Sequence, residues 1–213
     1  MKLGKAAMDA LQAEVFGRLS PGEELVAAGA VALRGSVLLT EAKWDVLRQT
    51  FSRGFLYGAQ NLQKDYGVTQ TREQAACSPV WKMAQEAGAT ALYAMGEGGI
   101  LAALWKMAEA SSVGLDVDLR KIPIRQETIE ICEIFDLNPY KLLSDGAILL
   151  GISGGEGLVQ ELRRMGYPAA VIGQTNKSND RRLYSGEHFR YLERPAADEL
   201  YKVLKKTPEC SIP

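Results

Sequence analysis

Histidine is nearly missing from this chain. A single one, His188, occurs in 213 residues, which excludes histidine-rich metal centres and leaves a histidine-based triad with little to build from. Cysteine is also scarce. Cys77, Cys132 and Cys210 are odd in number and widely spaced, and they form no CxxC pair. That argues against a disulfide framework or a zinc site and for reduced thiols in the cytoplasm. Neither sign of charge is in excess: 25 Lys and Arg against 26 Asp and Glu leave a net charge of −1. No long-range field therefore draws the chain to nucleic acid or to an anionic membrane, and neither is expected as a partner. No apolar run is long enough to span a bilayer. The opening segment MKLGKAAMDALQAEVFGRL is amphipathic, and charges interrupt its apolar positions, so it is not a signal peptide.

Hydrophobic residues make up 46% of the chain, enough for a sizeable core in one domain of ordinary-to-large size or two small ones. Met8, Leu11, Val15, Phe16 and Leu19 share one face of a helix over 6–19, stopped by Ser20-Pro21-Gly22. Residues 25–32 are a small-residue strand, Arg34-Gly35-Ser36 a turn, and Thr40 a cap for a helix carrying Trp44, Leu47, Phe51, Phe55 and Ala59. Pro79 opens a helix that ends before Gly88, and 90–94 form a buried strand. The centre of the chain is 96–139. A glycine-rich turn runs into a helix with Ile100, Leu104, Met107 and Ala108 on one face, ended by Gly114. Leu115, Val117 and Leu119 then alternate with Asp116 and Asp118 as a half-buried strand. A helix over 126–135 follows the break at Pro123, and Asn138-Pro139 starts a short one. Further along lie a strand at 147–152, a helix at 156–165 closed by Gly166, a strand at 169–173, a hairpin across Ser185-Gly186, and a final helix after Pro195. This irregular alternation predicts an α/β (α+β) fold, a mixed sheet layered with helices.

The run ALWKMAEASSVGLDVDLRKIPIRQETIEICEIFDLNPYKL, with PAAVIGQTNKSNDR and DELYKVL, resembles the C-terminal domain of AIR synthase-related proteins, closest to the hydrogenase maturation factor of the HypE type. The resemblance covers roughly 25–204 and is strongest from Gly88 onward. It implies a PurM C-terminal-like domain over 22–205, preceded by an N-terminal helix over 1–21 and followed by a tail over 206–213. It also implies that the family's nucleotide-binding half, expected between the opening helix and residue 25, has been deleted.

Relatives read HDVTEGG or HDPTxGG before the central helix, near nucleotide phosphates and metal. The matching residues here are Tyr93, Ala94, Met95, Gly96, Glu97, Gly98 and Gly99, so only Glu97, Gly98 and Gly99 survive. An alanine side chain offers no hard oxygen to a divalent cation. Glu97, Gly98 and Gly99, with Gly35 and Ser36 standing where the family has a glycine-containing loop, are the candidate cofactor contacts. Their alternatives are close helix packing and a plain turn. No metal and no catalytic residue is expected, and no cofactor, with ATP as the alternative. The family's maturation factor ends in a cysteine that is carbamoylated. Here Cys210 is followed by three residues and preceded by glutamate, which reads as an incidental tail cysteine. Cys132 reads as core and Cys77 as a loop residue. The resemblance and the missing half together imply a non-catalytic domain working by protein association, as a homodimer or with a full-length relative. The alternative is an ATP- or phosphate-binding protein or residual ATP-dependent enzyme in hydrogenase maturation.

Overall fold

The computed structural model describes residues 3–66 and 72–205. Among them, one eight-stranded sheet organises the molecule, in the order β1-β3-β5-β2-β6-β4-β7-β8. Its strands are β1 (Phe16–Gly17), β2 (Glu24–Ala28), β3 (Ala91–Ala94), β4 (Gly114–Asp118), β5 (Ile148–Ile152), β6 (Ala169–Asn176), β7 (Arg181–Ser185) and β8 (His188–Tyr191). Only β4 and β7 run parallel; the other neighbours are antiparallel. The mixed sheet layered with helices is the architecture that the residue pattern predicts.

Period-two alternation divides each strand between two layers. Leu25, Ala27, Leu115, Val117, Leu149 and Leu183 point to the larger core. That core is closed by α1 (Lys5–Glu14), α2 (Leu33–Ala42), α4 (Arg53–Asp65), α7 (Gly99–Ser111) and α8 (Gln126–Ile134). Val26, Ala28, Leu92, Leu150 and Ile152 point the other way, into a smaller core. There they meet α6 (Pro79–Glu86) and α9 (Glu156–Arg164), which pack on β2, β5 and β6. Two short helices, α3 (Trp44–Leu47) and α5 (Arg72–Ala76), complete the set.

Local signals set several of these elements. Ser78 caps α6 through Trp81 N–H, with Pro79 in its first turn. Asn138 caps a short 3-10 turn over Pro139–Lys141. α7 buries Ile100, Leu104, Met107 and Ala108 as expected, together with Leu101, Ala102, Ala103 and Ala110. A helix buried nearly all round is a central one.

Four expectations are corrected. The first helix stops at Glu14, because Val15 turns extended and Phe16 pairs with Leu92 as an edge strand. Arg34, Gly35 and Ser36 lie inside α2 and not in a turn. Thr40 does not cap a helix; it lies within α2, and its hydroxyl donates back to the Ser36 carbonyl at 2.7 Å. The 44–59 segment is two helices, and Ser52 caps the second through Phe55 N–H. Smaller differences follow the same pattern. α7 ends on Ser112 in the left-handed region while Gly114 opens β4, and the final helix is a 3-10 turn over Glu199–Lys202. Cys210 lies outside the described residues, as does Gly67, which the sequence offers as the end of the helix carrying Ala59.

Candidate functional site

The turn Gly96–Gly99 links β3 to α7 and places backbone amides at the start of that central helix. Both Gly98 and Gly99 have positive φ, 77° and 61°. A Cβ on Gly99 would stand 2.6 Å from the Tyr140 carbonyl oxygen and 2.7 Å from that of Leu142. A Cβ on Gly98 would meet the Ala102 methyl at 2.7 Å. These glycines are therefore required for packing, whatever else they do.

The anion at this helix start belongs to the protein. Asp198 Oδ2 accepts from Gly98 N–H at 2.6 Å, and its Oδ1 accepts from Leu200 N–H at 2.8 Å. The residue is 3% exposed. A carboxylate here meets the positive end of the helix dipole and satisfies a donor that would otherwise be orphaned. Burial raises the Asp198 pKa above the usual carboxylate range. The amides of Leu200, Gly98 and Leu143 pull it down, and the neighbouring Glu97 charge raises it again.

Two further carboxylates converge on the turn. Glu97 accepts a hydrogen bond from the Tyr201 hydroxyl. Asp145 follows Ser144, whose N–H donates to the Gly96 carbonyl. Its pKa is pushed up to about 6, first by burial; Arg34 opposes this, and the charges of Asp198 and Glu97 add to it. Arg34 itself donates to Gln63 Oε1 at 2.9 Å. The three carboxylates oppose a phosphate at the turn, while Lys141, Arg190 and Arg194 line the cavity next to it. Among the described residues no cluster of His, Cys, Asp or Glu has the arrangement of a metal site. The cavity beside Gly98, lined by Leu101, Lys141, Arg190 and Arg194, measures about 20 Å³, room for a water and far below a ligand pocket.

The structure brings Glu97, Gly98 and Gly99 together with Asp145, Asp198 and Arg34. It does not bring Gly35 or Ser36 to an open surface. Gly35 packs on Leu142, where an added Cβ would meet the side chain at 2.4 Å. Ser36 is 2% exposed, and its hydroxyl engages the Leu33 carbonyl and the Thr128 hydroxyl. Sequence reasoning missed Asp145, Asp198 and Tyr201. Asp198 carries a visible turn-capping signal, but nothing local joins it to a glycine one hundred residues earlier. Cys132 is core as expected, 1% exposed with its pKa pushed up to about 12 mainly by burial. Cys77 is exposed.

A second cleft, of about 740 Å³, lies between α1, α7 and β7. The guanidiniums of Arg181 and Arg194 stand 5.5 and 5.8 Å from the Trp105 ring, and Arg181 pairs with Glu109 at 2.6 Å. Lys5, Arg181 and Arg194 are balanced there by Asp9, Glu109 and Asp180, so the cleft selects no charge.

A mixed sheet with helices on both faces, and a glycine turn feeding a buried central helix, define a domain of the HypE, ThiL and PurL architecture. The chain belongs to the family "AIR synthase related protein, C-terminal domain", whose sequence profile matches residues 20–185. Carbamoyl dehydratase HypE of Rhodobacter capsulatus is 23% identical over 164 residues, covering 74% of this chain and 43% of that protein. The HypE–HypF complex gives a TM-score of 0.60 at 15% identity, over 84% of this chain and 54% of that one. HypE in complex with ATP gives 0.58 at 16% identity, over 86% and 54%. The chain thus spans about half the length of these relatives. Among the described residues no helix is long and apolar enough to cross a membrane.

Proposed function

We propose that this chain is a non-catalytic member of its family, a cytoplasmic domain over 22–205 that acts by protein association in hydrogenase maturation. It pairs with a second copy or with a full-length relative. The observation that carries this reading is the Asp198 carboxylate, held at 2.6 Å on the Gly98 amide where an anionic ligand would sit. Glu97 and Asp145 beside it add negative charge that opposes a phosphate at the turn. The partner reading draws support from HypE having been solved with HypF. Calorimetry with ATP, ADP and phosphate, with and without magnesium, should show no binding heat. Light scattering, alone and with a full-length relative, should show a complex. Micromolar nucleotide binding, or a strict monomer that ignores such a relative, overturns the proposal.

The second reading is a nucleotide- or phosphate-binding protein, or a residual ATP-dependent enzyme. It is favoured by the retained Glu97-Gly98-Gly99 turn and by HypE having been solved with ATP. It requires the 3-10 turn carrying Asp198 to leave the site. Nucleotide binding should then tighten when Asp198 is replaced by alanine, and a variant with unchanged affinity counts against it.

A further inference from the structure

The outer face of the sheet is unevenly covered among the described residues. α6 and α9 lie over β5, β2 and β6, and the main contacts of both stop short of β4, β7 and β8. At the bare end all four residues of β8 are exposed. Tyr184, Phe189 and Tyr191 form a continuous aromatic row, with adjacent ring centroids 5.8 Å apart. Phe189 and Tyr191 are 53% and 58% exposed.

Among the described residues β8 is also an edge strand, with no neighbour on its outer side. Leu192 N–H donates to the Arg181 carbonyl, and Arg190 lies opposite Leu183. Even-numbered residues therefore face β7, and the peptide groups of Phe189 and Tyr191 point away from the sheet. The opposite edge, β1, has two residues, and Gly17 there is pressed on Thr90, where a Cβ would meet the carbonyl oxygen at 1.9 Å. The stretch 188–194 has neither the proline nor the lysine that commonly guards an edge.

We propose that β8 is a homotypic docking edge, at which two copies of this chain pair antiparallel about a two-fold axis through Arg190. This rests on the protein-association reading and names its surface. The two-fold axis makes the outward peptide groups join odd residue to odd residue. Centred on Arg190, Phe189 of each copy stands opposite Tyr191 of the other. Such directly opposed aromatic pairs are favourable units of sheet pairing. The edge is balanced in charge, with Glu187 and Glu193 against Arg190 and Arg194, so it does not select a foreign strand of one sign. Two-fold pairing of identical surfaces is the commonest oligomer geometry. The same register sets Arg190 against Arg190, a like-charge contact that weakens the dimer. A four-residue edge falls short of the roughly 1,200 Å² of a stable interface, so the dimer is a micromolar one.

Sedimentation equilibrium from about 1 µM to 1 mM brackets that affinity. The wild type should dimerise with concentration and tighten as salt screens the arginines. Arg190→Thr should tighten it several-fold. Phe189→Lys with Tyr191→Lys should weaken it at least tenfold, with circular dichroism and melting midpoint unchanged. A dimer that ignores the double lysine variant overturns the edge and leaves the association reading standing. A wild-type monomer that binds a full-length relative also overturns the homotypic edge. A monomer that binds neither overturns both.

Discussion

Two acidic groups in this protein meet opposite fates. At the start of α7, Glu97, Asp145 and Asp198 crowd a desolvated turn, and burial raises the pKa of Asp145 and Asp198. On the open strand face, Asp116 pairs with Arg182 at 2.8 Å and Asp118 with Arg120 at 2.8 Å. There the Arg120 hydrogen bond holds the Asp118 carboxyl below its ordinary range. Both groups look alike as residue types. What separates them is access to water and to guanidinium partners. The buried group sits at the glycine turn that feeds α7, and its charges make a poor receptor for phosphate. The open group is ordinary surface pairing, as its alternation in the sequence implies.

The comparison can be broken or sharpened by substitution. The largest effect is expected at the turn itself. Gly99→Ala places a Cβ against two carbonyl oxygens at positive φ, and strain of this kind costs about 2–3 kcal/mol or more, read in urea unfolding. Next comes Asp198→Ala. It leaves the Gly98 and Leu200 amides without their carboxylate partner, at a cost of about 1–3 kcal/mol in the same assay. If it costs no more than Asp118→Ala, the two groups do not differ as argued.

The third effect has the opposite sign. Asp145 titrates near 6 in the folded chain against 3.8 ordinarily. A folded pKa raised above the unfolded one gives stability that is full below about pH 4 and lost as pH rises through about 6. Asp145→Asn should therefore stabilise the protein at pH 7–8, by about 1 kcal/mol after discounting for partial exposure, and change little at pH 4. Unfolding midpoints across pH 4–8 test this, and a variant less stable at pH 8 contradicts it. The smallest effect belongs to Asp118→Asn. Its lowered pKa contributes stability above the ordinary carboxylate value that is lost as pH falls below it. For so exposed a pair the loss at pH 7 is about a few tenths of a kcal/mol, read as a midpoint change that shrinks as pH falls below the ordinary carboxylate value.

Much of the fold was legible from residues alone. Pro79 marked α6, Asn138-Pro139 marked a short helix that is a 3-10 turn, and the alternation of Leu115 and Val117 with Asp116 and Asp118 named the inward face of β4. The site was legible only as far as Glu97, Gly98 and Gly99. Arg34-Gly35-Ser36 looked like a turn because glycine and serine favour turns locally, yet Leu142 fills the space over Gly35 and holds the segment helical. The first helix looked longer than it is, since apolar spacing continues through Val15 and Phe16, while pairing with β3 favours the extended form.

Local chemistry by itself determined the family and the layered mixed fold, because caps, periodicity and side-chain type act over a few residues. Only the tertiary structure decided which anion faces the α7 amides, which glycines are obligatory, and which sheet edge is left open. Those outcomes depend on groups brought together from distant parts of the chain, where burial sets the sign of each charge's contribution.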